Sequence, residues 1–298
     1  MTVLLQQLVN GLSQGAIYAL IALGYTMVYG TLQLINFAHG EVYMIGAFTG
    51  LYLAKALGVV DEPSIVGALL VGVGTATVCA ALGVAIERVA YRPMRKSTRL
   101  NMLITAIGVS LLLQNLGLLA FGSIDSFPAL LPHAQWTVGG VIIRSHDLVV
   151  LGTTAVLMFA LHHIVERTQM GRAMRAVSHS RETAALMGIP VDRVISFTFA
   201  LGSVLAAAAA LLVAMDKTVI TPQMGATGGL KAFVAAVLGG IGSIPGAVLG
   251  GLLLGICEML VSGYIASSYR DAIAFGILIV VLLVRPAGLM GRVTVEKV

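Results

Sequence analysis

Apolar residues in this chain come in long blocks separated by short polar or basic joints. The blocks run over about 4–30, 41–57, 64–86, 101–121, 147–164, 194–214, 247–264 and 271–284, with a shorter one near 230–241. Most are close to the roughly 20 residues that a helix needs to cross a bilayer. Backbone groups inside lipid must be satisfied within the segment, so blocks of this length predict helices. The pattern predicts an all-α, polytopic helical membrane protein of about eight spans, forming one transmembrane domain over residues 1–298. Pro286 ends the last span, because proline has no N–H and restricts Arg285 before it.

Composition supports lipid as the solvent. Of 298 residues, 58% are hydrophobic and 10% charged, and the mean hydropathy is +0.98; a soluble domain carries about 25% charged residues. The 35 glycines suit membrane helices that approach closely or break locally. Cys79 and Cys257 each stand alone in an apolar run and read as small buried hydrophobes. MTVLLQQLVN at the start has no Lys or Arg, which favours insertion as a multi-span protein over a cleaved signal peptide.

The net charge of +5 changes the picture through its distribution. Arg88, Arg92, Arg95, Lys96 and Arg99 form one basic cluster. Arg167, Arg172, Arg175, Arg181 and Arg193 form a second, and Arg285, Arg292 and Lys297 a third. Each flanks an apolar run, which is the positive-inside pattern rather than a nucleic-acid surface. Segments 88–99, 167–193 and 286–298 are expected in the cytoplasm. The acidic link 57–63, the segment 123–146 and the stretch 215–231 are expected outside, together with the N-terminus.

Two segments break the membrane pattern. GTLQLINFAHGE (30–41) places Asn36, His39 and Glu41 between apolar runs. A carboxylate near the bilayer centre is costly, and irregular backbone at that depth must face protein or water. The segment reads as a broken helix beside a solute path, or alternatively as a cytoplasmic turn with Glu41 favoured by a helix dipole. The second break holds Pro222, Gly225, Gly228, Gly229 and Lys231, through which a helix is not expected to run comfortably; a half-helix dipping into the membrane is expected there. Paired breaks in the two halves point to a transport site between repeats. Gly246-x3-Gly250 and Gly251-x3-Gly255 predict close helix packing, and Glu258 is expected to snorkel or to be hydrogen-bonded.

The first part of the loop 167–194 reads in helical register. Met170, Met174 and Val177 fall on one side, with Arg172, Arg175 and His179 on another. A second short helix follows: Ser180 caps it, Glu182 sits in its first turn, Gly188 stops it and Pro190 follows. It presents Ala184, Ala185, Leu186 and Met187, either to a partner's groove or to its own bundle.

Glu182-Thr183-Ala184-x3-Gly188 resembles the EAA-x3-G coupling segment of ATP-driven importer permeases, departing from it at Thr183. GAIYALIALGYTMVYGTLQLINFAHGEVYMIGAF (15–48), ERVAYRPMR (87–95), MGRAMRAV (170–177), AAVLGGIGSIPGAVLGGLLLG (235–255) and the ending GRVTVEKV resemble the branched-chain amino acid permease family. The resemblance implies import of Leu, Ile or Val through the inner membrane. It implies a second homologous permease as heterodimer partner, two cytoplasmic ATPase subunits that bind the ATP and Mg, and a periplasmic binding protein. This chain would hold no metal or cofactor and would not be an enzyme. Arg172, Arg175, Glu182, Ala184, Ala185, Leu186 and Gly188 are then expected at the ATPase contact. Asn36, His39, Glu41, Pro222, Gly225, Gly228 and Gly229 are expected along the path. Urea or amides are alternative solutes in such permeases.

Two other classes weigh less. An enzyme would need HExxH, a GxSxG elbow between strand and helix, or a carboxylate pair at motif spacing; the one GxSxG match, Gly11–Gly15, lies inside the first apolar run, with no strand before it. An ion-coupled transporter or channel shares broken helices but needs no coupling helix. With no GK dipeptide there is no Walker A motif, so any ATP site must lie on another chain.

Overall fold

The computed structural model describes residues 2–60, 62–95, 97–132 and 134–291. The expectations involving Lys96, Arg292 and Lys297, and the closing residues from 292, lie outside them. Among the described residues, seven helices are long and apolar enough to cross a membrane: Thr2–Leu32, Ile65–Met94, Leu100–Phe121, Ser145–Arg167, Val191–Lys217, Ile244–Tyr264 and Ser267–Val284. Two further helices, His39–Ala56 of 18 residues and Met224–Gly239 of 16, complete the bundle. In chain order the helices are α1 (Thr2–Leu32), α2 (His39–Ala56), α3 (Ile65–Ile86), α4 (Arg92–Met94), α5 (Arg99–Phe121), α6 (Ser145–Arg167), α7 (Gln169–His179), α8 (Arg181–Leu186), α9 (Val191–Lys217), α10 (Met224–Gly239), α11 (Ile244–Tyr264) and α12 (Arg270–Val284). A π-helical turn, Glu87–Tyr91, joins α3 to α4.

Helix starts follow local chemistry. The hydroxyls of Ser64, Thr98 and Ser243 accept from backbone N–H groups of Gly67, Asn101 and Gly246, filling orphan donors at the starts of α3, α5 and α11.

Segment 123–146 contains more than a loop. β2 (Gln135–Val138) and β3 (Val141–Arg144) form a hairpin that turns at Gly139 and Gly140, both with positive φ. β1 (Asp125–Ser126) pairs with β4 (Val219–Ile220). At this hairpin end, Gln6 near the start of α1 bonds both backbone groups of Ile142, and Lys55 at the end of α2 lies 3.5 Å from Asp125. At the opposite, basic end, Arg92 and Arg95 pair with Asp192. The two groups of loops thus occupy opposite ends, with the start of α1 beside 123–146 and 218–220.

The packing is reciprocal between halves. α1 lies along α11 as α9 lies along α3; α1 crosses α9, and α2 meets α10. Glycine sets the spacing. Gly251 has no room for a side chain against Ala19, nor Gly15 against Leu252, while Gly246 and Gly250 face α10. The two GxxxG pairs therefore serve both sides of a helix sandwiched between α1 and α10.

Glu258 does not snorkel. It is 1% exposed, accepts from the Tyr18 phenol at 2.7 Å, and pairs with Lys231 Nζ at 3.1 Å. Lys231 also reaches Asp271 at 2.6 Å.

Candidate translocation and coupling sites

The first break is shorter than the sequence pattern suggested. α1 continues to Leu32, and irregular backbone covers only 33–38 before α2 starts at His39. The segment re-enters the bundle. His39 fills the space beside Gly24, about two turns before the end of α1, and close to Gly202 of α9. Its ring meets Tyr25 edge-on at 4.9 Å. From there α2 runs to the hairpin end.

The second break is displaced from its expected position. Helix α10 runs through Gly225, Gly228 and Gly229, and the non-helical residues are 218–223, which include strand β4, with Thr218 at φ 55° and Pro222 just ahead of the helix. Three glycines cost a helix about 1 kcal/mol each in intrinsic propensity. Close approach offsets that cost. A side chain on Gly229 would stand 2.8 Å from Gly40 Cα, one on Gly228 would stand 3.1 Å from Tyr43, and one on Gly225 would strike Gly40 and Glu41. From this junction α10 runs to the basic end, where Leu289 and Met290 bond the carbonyls of Leu238 and Gly239. Two half-helices therefore start against one another inside the bundle and leave in opposite directions, as in transporters that bind solute at the midplane.

His39, Glu41, Gly225, Gly228 and Gly229 are brought together here. Asn36 and Pro222 precede the two starts. All of the polar members are buried in the chain's own core. Asn36 Oδ1 accepts from the Tyr91 phenol at 2.7 Å. Glu41 Oε1 accepts from Ser110 of α5 at 3.2 Å, and its other carboxylate oxygen, against Gly225, has no hydrogen-bond partner among the described residues.

The open face beside the junction belongs to residues that sequence reasoning missed. Gln223, Ala226 and Thr227 of the α10 start are exposed, and Ser110 and Gln114 of α5 are half-buried. The signal was available: Ser110 and Gln114 stand four residues apart in an apolar helix, as do Gln223 and Thr227, and such pairs share a face.

At the basic end, α7 buries Met174 and Val177 and leaves Arg172, Arg175 and His179 exposed, as its periodicity requires. Arg175 turns back to the Val165 carbonyl and to Glu166 at the end of α6, where a cation meets the helix dipole. Helix α8 has the expected ends. Ser180 Oγ accepts from Thr183 N–H at 3.2 Å, and Gly188 holds φ +77° after the last turn. Its faces differ from expectation. Ala184 is 4% exposed and packs inward against the chain's own core, and the Ile189 N–H returns to its carbonyl. Ala185 is exposed, and Leu186 and Met187 are 87% and 78% exposed. Glu182 is also exposed.

An ion network adjoins α8. Buried Glu87 of the π turn bonds Arg95 and Ser196, Arg95 and Arg92 bond Asp192, and Arg181 donates to the Leu32 carbonyl at 2.5 Å. Burial lowers the pKa of the Arg181 guanidinium, and the positive Arg95 nearby lowers it further. A cavity of about 680 Å³ opens between Arg88, Arg92, Ala185 and Asp192.

Residues 7–282 match the profile of the family described as branched-chain amino acid transport system / permease component. The chain is 48% identical to the high-affinity branched-chain amino acid transport system permease protein LivH of Escherichia coli (strain K12), covering 99% of this chain and 97% of that protein. It is 47% identical to the corresponding permease BraD of Pseudomonas aeruginosa, covering 99% and 98%. The autoinducer 2 import system permease LsrC of Yersinia enterocolitica is 30% identical, covering 91% of this chain and 72% of that protein.

Proposed function

We propose, from the premise that this chain belongs to the permease components of branched-chain amino acid transport systems, that it forms part of the membrane pathway of an ATP-driven importer for Leu, Ile or Val. The observation that carries the reading is the junction of α2 and α10. Two half-helices there supply a break in the bilayer barrier that small relative movements can open and close. The half-exposed polar face of α5 and α10 is where a second, homologous permease completes the path. The basic end faces the cytoplasm, and the N-terminus and the β2–β3 hairpin face outward, where a periplasmic binding protein delivers solute. Two ATPase subunits hold ATP and Mg and receive the exposed Leu186 and Met187 of α8. This chain contributes positioning and access rather than bond chemistry, and binds no cofactor of its own.

The solute follows from the similarity to LivH and BraD, whereas the likeness to an autoinducer 2 permease marks how widely this scaffold varies in cargo. The test is reconstitution with the second permease, the ATPases and the binding protein in proteoliposomes. Leucine uptake should require external binding protein and ATP at the ATPases. Uptake driven by an ion gradient without ATP would overturn the reading, and uptake of urea in place of leucine would overturn the solute.

A further inference from the structure

The end of α1, where the break at 33–38 begins, is tied to α8 by one side-chain hydrogen bond among the described residues. Arg181 is the first residue of α8, and its guanidinium crosses to the Leu32 carbonyl, the last helical residue of α1 and 149 positions earlier in sequence. The next residue, Gln33, holds φ +53°, a left-handed conformation that a side chain disfavours and that its surroundings must hold in place. Gln33 is therefore the point at which α1 stops and the re-entrant segment leaves. Beside this bond the two elements are not packed solid: a cavity of about 310 Å³ separates Thr31 and Gln33 from Ser178 and Glu182.

Helix α8 itself is a short unit closed at both ends. Ser180 caps its start and the left-handed Gly188 turn closes its finish, so displacement of exposed Leu186 and Met187 carries Arg181 with it. The far end of the break is held separately, by Tyr91 on Asn36.

We infer that Arg181 is a positioning residue for transport: it transmits movement of α8 to the end of α1 and so to the re-entrant segment that begins α2. This rests on the reading of α8 as the ATPase contact. An arginine that only capped α1 would lower stability and leave the uptake obtained per ATP unchanged.

The experiment uses the whole importer in proteoliposomes, with Arg181→Ala and Arg181→Gln, reading leucine uptake and ATP hydrolysis on the same vesicles. Expected is retention of the ATPases, hydrolysis stimulated by loaded binding protein within about twofold of wild type, and uptake per ATP reduced about tenfold in Arg181→Ala. Arg181→Gln, which keeps a shorter neutral donor, should fall between. Uptake per ATP equal to wild type would overturn the inference, and so would uptake and hydrolysis falling in proportion. Loss of the ATPases from both variants would also overturn it, since Arg181 would then belong to the ATPase contact itself. Failure of the underlying reading shows elsewhere, as normal assembly and uptake in Gly188→Val.

Discussion

The phenol of Tyr91 donates a 2.7 Å hydrogen bond to Asn36 Oδ1, joining the end of a π-helical turn to the break that precedes α2. Both groups are buried, and π turns inside α-helices recur at functional sites. Tyr91→Phe leaves the Asn36 amide oxygen without its donor and should cost about 1–3 kcal/mol. Thermal unfolding of the purified permease complex measures this, and uptake should fall with it. Asn36→Asp keeps an acceptor but buries a charge, so it should lower the unfolding temperature further than Tyr91→Phe.

Contact between the half-helices makes a sharp contrast among glycines. At Gly229 an added Cβ meets the Gly40 backbone at 2.8 Å, whereas at Gly72 it meets nothing within 4 Å. Gly229→Ala should abolish uptake or assembly by forcing α10 from α2. Gly72→Ala should leave uptake intact and stabilise α3 by about 0.5–1 kcal/mol through helix propensity. Equal tolerance at the two sites would mean that the α2–α10 junction is loose.

Lys231 and Glu258 form an ion pair in which Glu258 is almost fully enclosed. Removing one partner of a buried pair costs about 3–5 kcal/mol, because the other charge is stranded. Lys231→Met should therefore destabilise strongly. Lys231→Met with Glu258→Gln should recover a large part of the loss, although Tyr18 and Asp271 each keep one altered neighbour. A double variant no more stable than Lys231→Met would show that the pair is not the unit of stability.

Gly188 has open space around its α-carbon but a φ of +77°. Substitution there strains backbone rather than packing, at about 1–2 kcal/mol. Gly188→Val and Glu182→Lys should leave the permease inserted and folded while uptake falls and the ATPases detach or hydrolyse ATP without transport. Co-purification and vesicle uptake, measured together, decide this; normal values for both variants would remove α8 from the coupling role.

Sidedness is tested by labelling. A cysteine replacing Trp136 in the β2–β3 hairpin should react with an impermeant maleimide from outside, and one replacing Arg172 should react only from the cytoplasmic face. Labelling of both from the same face would contradict the placement of the hairpin and the basic loop at opposite ends of the bundle.

Much of this architecture was legible because its causes are local. Helix lengths follow apolar block lengths, the ends of α8 follow Ser180 and Gly188, and the opposed loops follow the distribution of Arg and Lys. The helix expected to dip in from 221–229 is present as α10, but Gly225, Gly228 and Gly229 do not interrupt it: propensity counts glycine as a helix breaker, whereas here α10 gains close contact with α2 that no larger residue allows. Ala184 was misjudged because six residues of helix do not reveal which side meets the chain's own core.

The sequence by itself determined the apolar solvent, most of the helices and the family likeness, and it set the expectation for sidedness that labelling tests, since each depends on composition or on neighbours along the chain. Only the tertiary structure decided that α2 and α10 start against one another, and that Asn36 meets Tyr91, Glu258 meets Tyr18 and Lys231, and Arg181 meets Leu32. A buried polar group takes its partner from whichever helix packs beside it, and that neighbour is set by the close approach of whole helices rather than by the residues next to it in sequence.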